Sequence, residues 1–416
     1  PTGVARAAGT AAVPGMSRTL LGWPAFLAVA LAAQGWVVVA DLRRDAELGR
    51  DVPGFLFGDS GVYAAAADSL LRDRDLDLLN QCFPGRTTLA DVLPELEGEH
   101  GGEFGLSKDG RLTIKQSPVL SAAALPFYAL FGRPGLLIFN LAALNLFLIG
   151  LAKLAGDTPA ARVAVLVGFL ATPLLWYSAN FSPDLFLCAL LVGSLLAARA
   201  DRPTLAGVLA GLAVSVKVYV AAMVLPIPVL VWATAGDRRW VALVRFAAGG
   251  LLGLAPGLAF NTWLFGAPWV TGYERQLLVR DGAIGLADHS SRFTIPFAEG
   301  LRNLLFEPAV GLWPTAPLWS LWPVAVCVLL IAPVRGRAWV LTTAAVILLN
   351  LAVFAPYDGW NGSAVGNRYV FPALGLGFAL IGAAISAVVR AAPTPDPAAS
   401  ADGAACRGRA EHVAPS

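Results

Sequence analysis

Charge is what this chain lacks most. Only 14% of its 416 residues are Asp, Glu, Lys or Arg, against roughly a quarter in a water-soluble domain. Lysine is reduced to four residues and histidine to three, and His100, His289 and His412 are scattered along the chain. The four cysteines, Cys82, Cys188, Cys327 and Cys406, show no spacing that would make a metal site, a redox pair or a disulfide framework. No glycine-rich phosphate loop and no strand–turn–helix pattern of the nucleotide-binding kind occurs. These absences argue against a soluble domain, a built-in zinc site, a resident nucleotide and a nucleic-acid partner.

What fills the space is apolar sequence. Hydrophobic residues make up 57% of the chain and the mean hydropathy is +0.66, as expected where lipid is the solvent. Runs long enough to cross a bilayer, roughly 17–25 residues, read at about 19–40, 134–152, 162–179, 183–198, 203–217, 219–234, 241–262, 313–333, 338–355 and 369–389. The expectation is an all-α, polytopic membrane protein of about ten helices. The first run exceeds the usual apolar core of a signal peptide, so it reads as a retained helix.

The segment 118–132 (SPVLSAAALPFYALF) decides the topology. It is apolar but short and holds Pro118 and Pro126. Read as an interfacial helix, with the N-terminus inside, it leaves fourteen basic and six acidic residues on the inner side, including the pairs Arg238–Arg239 and Arg335–Arg337. Read as a span, it puts both pairs outside, against the inside-positive bias. The interfacial reading yields a cytoplasmic segment 1–18, a transmembrane domain 19–389 and a small-residue, proline-rich cytoplasmic tail 390–416. Within the domain, a large first extracytoplasmic loop (41–133) carries interfacial helices, and a second outer loop spans 263–312.

The chemistry-bearing residues gather at these outer segments. Asp59 stands at the start of a helical stretch, where an acid is also a common N-cap. Asp73, Asp75 and Asp77 alternate with Arg and Leu, a pattern closer to a solvated turn than to a cation site. Lys115, Lys217 and Arg368 border the membrane on three separate outer elements. Snorkelling to lipid phosphates is one account of them; a shared anionic ligand is the other. Asp184, after Pro183, opens a further helix from the same face, and helix initiation alone could account for it. Tryptophans 263, 269, 313, 319 and 322 read as an interfacial belt, with stacking on a sugar as the alternative.

Several stretches resemble, in order, the GT-C superfamily of membrane glycosyltransferases, particularly the mannosyltransferase and aminoarabinose-transferase group. They are GDSGVYAAAADSLLRDRDLDL in the first outer loop, KQSPVLSAAALPFYALFG at 115–132, NFSPDLFLCALL, AGLAVSVKVYVAAMVLP, FNTWLFGAPWVTGY, LLFEPAVGLWPTAPL and GWNGSAVGNRYVFPAL. The chain departs from the family in having Ser60 where many members carry a second acid after Asp59, and in lacking the doubled proline near Pro118. The resemblance implies a polyprenyl-phosphate-sugar donor, an acceptor of unknown kind and inverting transfer on the extracytoplasmic face, by a hexosyl- or pentosyl-transferase. It assigns Asp59 as the base, Lys115, Lys217 and Arg368 as ligands of the donor phosphate, and Tyr63 and Asp184 as positioning residues. The resemblance implies no required cofactor, with a divalent metal as an alternative that the sequence does not support. A flippase for a lipid-linked sugar, or a polysaccharide polymerase or ligase, would share the substrate; transporters tend to place ionisable residues near the membrane midplane, whereas here they lie at the outer surface.

Overall fold

The computed structural model describes residues 22–48, 58–97, 101–287, 292–332, 336–359 and 367–391. The expected cytoplasmic segment 1–18, the tail beyond 391 and most of the GWNGSAVGN stretch lie outside the described residues. The protein is a helical bundle with two small antiparallel hairpins. Helix, continuous or broken, occupies each of the ten expected apolar stretches.

Fewer of these helices are full spans than the sequence suggests. Among the described residues, four are long and apolar enough to cross a bilayer: Trp23–Glu47, Arg133–Leu154, Gly236–Phe265 and Arg368–Ala391. A fifth is added if Pro159–Leu170 and Pro173–Ala179, bent by 70°, form one span. The remainder are interrupted or short. Proline explains much of this, since it lacks the N–H that continues a helix and clashes with the preceding turn; Pro173, Pro226 and Pro317 stand at such restarts.

The last helix, Phe371–Ala391, is buried on nearly every side. It packs against Arg133–Leu154, Pro159–Leu170, Trp322–Ile331 and Ala338–Phe354. An apolar helix without a polar face is stable only in such a central position. Buried Asn350 fixes its start, donating to the Tyr369 carbonyl (3.0 Å) and accepting from the Ala373 amide (3.1 Å). Trp319 is also buried, with Nε1 donating to the Ala373 carbonyl at 2.9 Å. That residue is core and not part of an interfacial belt.

A second core lies at the loop-rich end. The helix Asp59–Arg72 packs on Val119–Phe131, and Tyr63, Ile114, Leu120 and Phe181 are buried between these elements. Val119–Phe131 has 13 residues, about 20 Å at 1.5 Å per residue, too short for a hydrocarbon core of about 30 Å. It turns back at Gly132, whose φ of 63° favours glycine. The hairpin Phe104–Leu106/Leu112–Ile114 joins the two long loops, because the Leu106 amide donates to the Arg275 carbonyl (2.8 Å) and Gly105 bridges to Gln276.

Glycine sets the tightest helix crossing. A Cβ on Gly207 or Gly211 of Pro203–Val216 would stand 2.0 or 2.1 Å from the carbonyls of Phe246 and Gly250 in Arg239–Phe265. Small residues let backbones approach in this way within membranes. Gly211→Val is therefore expected to destabilise the bundle by about 1–3 kcal/mol, in the range of overpacking, seen as a lower unfolding temperature in detergent. Gly250→Ala, whose Cβ would meet nothing nearer than 3.9 Å, is expected to leave that temperature nearly unchanged.

Candidate active site

Asp59, Tyr63, Lys115, Asp184, Lys217 and Arg368 meet in one cluster at the loop-rich end, where Tyr63, Asp184 and Lys217 are buried and the other three partly buried. Its centre is Asp59. Gly58, at φ 58° and ψ −134°, turns the chain into the helix, and Asp59 is the first helical residue. Its carboxylate does not cap the helix. Oδ1 accepts from Gln116 Nε2 at 2.7 Å and Oδ2 from Arg368 at 2.8 Å.

Arg368 begins a short 3₁₀ turn (Arg368–Val370) that leads into the central helix. The Asn367 side chain caps that turn by accepting from the Tyr369 amide at 3.1 Å. The guanidinium also lies 3.9 Å from Asp184 Oδ2. Asp184, 2% exposed, is in the first turn of Pro183–Arg199, with Ser182 as the N-cap. It accepts from Ser182 Oγ at 3.1 Å and from the Tyr219 hydroxyl at 3.4 Å. Asp184 thus shares Arg368 with Asp59. Arg368, expected as a phosphate ligand, directs its charge at these two carboxylates.

Lys217 sits at a break. Helix Pro203–Val216 ends there, and Lys217 adopts extended backbone (φ −146°, ψ 116°) before Val220–Val224 resumes. Leaving the helical path turns its side chain inwards. It is 6% exposed, and Nζ donates to the Tyr273 hydroxyl at 3.2 Å. Tyr63 lies close by, fully buried against Phe181, and its hydroxyl has no hydrogen-bond partner among the described residues.

Glu103 is the site residue that the sequence did not reveal. It lies just before the first hairpin strand, and the pairing Phe104↔Ile114 puts it across from Lys115. Lys115 Nζ stands 3.6 Å from Glu103 and donates to the Gly102 carbonyl. Glu103 is also close enough to Asp59 for a protonated carboxyl to hydrogen-bond between them. Burial would raise the Asp59 pKa, but that hydrogen bond and the charges of Arg368, Lys217 and Lys115 outweigh it and hold the carboxyl well below the usual range. Burial, the hydrogen bond to Asp59 and the Asp59 charge push Glu103 up to about 7, against Lys115. Of the two, Glu103 is therefore the one that holds the proton whenever the pair carries one. Position 60 is Ser60, which is buried and donates to Asn180 Oδ1 at 3.0 Å.

Two cavities flank the cluster. One, of about 310 Å³, is walled by Val214, Leu254, Leu258 and Trp269, with Lys115 and Lys217 also on its lining. The other, of about 530 Å³, lies against Gly58, Gly61 and Glu103. The acidic run behaves as a capped turn: Asp75 accepts from Ser69 Oγ (2.7 Å), Asp77 accepts from the Leu79 amide (3.2 Å), and Asp73 accepts from Asn80 (3.0 Å).

No protein-family model and no curated protein matches this sequence. Among solved structures, the fold is similar to the crystal structure of ArnT from Cupriavidus metallidurans bound to undecaprenyl phosphate. The TM-score is 0.56 at 15% identity, over 92% of this chain and 63% of that one. The chain thus spans a little under two thirds of the ArnT length. The likeness shows an ArnT-like polytopic helical fold, as the ordered motifs led us to expect.

The ion pair at the centre has a measurable consequence. In a double-mutant cycle of Asp59→Asn and Arg368→Gln, scored by thermal unfolding, the two effects are expected to couple by about 1–3 kcal/mol, as residues of one salt-bridge network do. Additive effects would show that the pair contributes nothing as a pair.

Proposed function

We propose that this protein is a membrane glycosyltransferase that moves a hexose or pentose from a polyprenyl-phosphate donor to an acceptor hydroxyl on the extracytoplasmic face. The observation that carries the proposal is the pairing of an apolar cavity, lined by Lys115 and Lys217, with the Asp59 carboxylate beside it. A polyprenyl phosphate needs an apolar channel for its tail and positive charge at the end of it. The small cavity offers both. ArnT, of similar fold, was crystallised with a ligand of this chemistry.

The reaction is a single displacement. The acceptor oxygen attacks the anomeric carbon from the face opposite the phosphate. The bond from that carbon to the phosphate oxygen breaks, and its electron pair leaves with the polyprenyl phosphate. The hydroxyl proton passes to the Asp59 carboxylate, and the configuration inverts. Lys115 and Lys217 stabilise the charge that grows on the departing phosphate, the kind of electrostatic help that matters most in a water-poor site. Asp184 keeps Arg368 in place, and the Tyr63 hydroxyl remains available to the sugar or the phosphate.

The test is sugar transfer from labelled polyprenyl-phosphate donors by purified protein. The wild type is expected to turn the donor over. Asp59→Asn, still folded, is expected to lose at least about a hundredfold, the scale of general-base assistance. Equal turnover in the two would remove Asp59 as the base. Failure across a broad set of donors, together with movement of the intact lipid-linked sugar between leaflets, would replace transfer with translocation.

A further inference from the structure

The larger cavity differs in character from the lysine-lined one. Its floor is the small-residue face of Asp59–Arg72, with Gly58, Gly61, Ala64 and Ala65, so a flat molecule can lie close to the helix. Around that floor stand Asp68, Gln81, Tyr128 and Arg133, with Phe104 as an aromatic wall. Carboxylate, amide and guanidinium groups are planar and make paired hydrogen bonds to neighbouring hydroxyls. An aromatic ring packs against the C–H face of a sugar. This is the lining of a site for a polyhydroxylated, water-borne molecule and not for an acyl chain.

Glu103 belongs to both halves of the site. It lines the polar cavity, and it contacts Lys115, which lines the apolar one. Its buried oxygen Oε2 has no hydrogen-bond partner among the described residues and stands 3.6 Å from Lys115 Nζ. Asp59, in contrast, has both oxygens engaged, by Gln116 and by Arg368. An aspartate held in that way is a weak base on its own.

Resting on the glycosyl-transfer reading above, we propose that the polar cavity receives a hydrophilic glycan as the acceptor, and that Glu103 and Asp59 together form the carboxylate pair that takes up the acceptor's hydroxyl proton. With Glu103 ionised, a second negative charge lies against Asp59 and raises its basicity, so the proton-free pair is the competent base. The attacking hydroxyl gives its proton to the pair as the new glycosidic bond forms and the bond to phosphate breaks. The proton then rests on Glu103, the more basic of the two. The charged and titratable groups around Glu103 are Asp59 and Lys115 in contact, and Asp68, Arg72, Cys82, Tyr128 and Arg133 across the cavity. Arg72 is already paired with Asp68 at 2.8 Å. Burial lifts the Cys82 thiol to about 12, and burial, then the bond to Asp68, lifts Tyr128 likewise to about 12. Neither titrates near neutrality.

The experiment uses the full chain in lipid nanodiscs with a labelled polyprenyl-phosphate sugar. Three acceptor probes are offered: soluble neutral oligosaccharides, a diacylglycerol glycolipid in the disc, and a serine/threonine-rich peptide. Label is expected on the oligosaccharides, at a rate that rises as the pH passes through about 7, where the pair loses its proton. Glu103→Gln is expected to lose about a hundredfold together with that pH dependence, while binding polyprenyl phosphate as the wild type does. Ala65→Trp, which fills the polar cavity, is expected to abolish transfer with the same binding retained. Label found only on glycolipid or peptide would overturn the assigned acceptor. A Glu103→Gln protein with wild-type rate and pH profile would overturn the pair. Loss of carrier binding and turnover in the wild type itself would fail the glycosyl-transfer reading, and this proposal with it.

Discussion

Asp59 and Arg368 are 309 residues apart in sequence and 2.8 Å apart in space. Both are largely withdrawn from water, and neither charge is tolerable there alone. Their meeting joins the first long loop to the start of the most buried helix. Asp184 adds the helix Pro183–Arg199 to the same point through its share of Arg368, and Gln116 adds the segment after the first hairpin. Elements from distant parts of the chain are therefore positioned by one set of charges, and the loops cannot drift from the bundle without exposing or orphaning one of them.

That constraint also shapes the chemistry. Arg368 is held against two carboxylates, while Lys115, paired with Glu103, and Lys217, bonded to Tyr273, line the apolar cavity. Lys217 owes its position to a broken helix, and Lys115 to the end of a hairpin strand. Irregular backbone at such depth is tolerated where it lines a cavity or is buried in protein. The same irregularity shortens several helices below span length, so the breaks that spoil a simple hydropathy count are the features that build the site.

Much of the fold was legible in the sequence because lipid imposes a simple rule: an apolar run must become a helix. The helix at every expected stretch follows from that rule. The number of complete spans does not, because Pro173, Pro226 and Pro317 break helices within runs that remain apolar. Asp59, Lys115, Lys217 and Arg368 stood out because charge is rare here and each borders a hydrophobic run. Glu103 stood among other acids in a polar loop, and nothing local marked it. The SKDG turn and the strand pairing beside it could have revealed it, since a hairpin with Phe104 opposite Ile114 places Glu103 opposite Lys115. The capping account of Asp59 failed for a tertiary reason: Gln116 and Arg368 claim its oxygens before the helix amides can.

The central claim is that the apolar cavity and its two lysines hold a lipid phosphate beside Asp59. The most direct test is to compare binding of a polyprenyl phosphate with that of the matching polyprenol, in wild-type protein and in a Lys115→Ala/Lys217→Ala variant. The account predicts that the wild type binds the phosphate far more tightly than the alcohol, and that the double variant loses this preference while remaining folded. Equal affinity for the two lipids, or a preference that survives loss of both lysines, would contradict it.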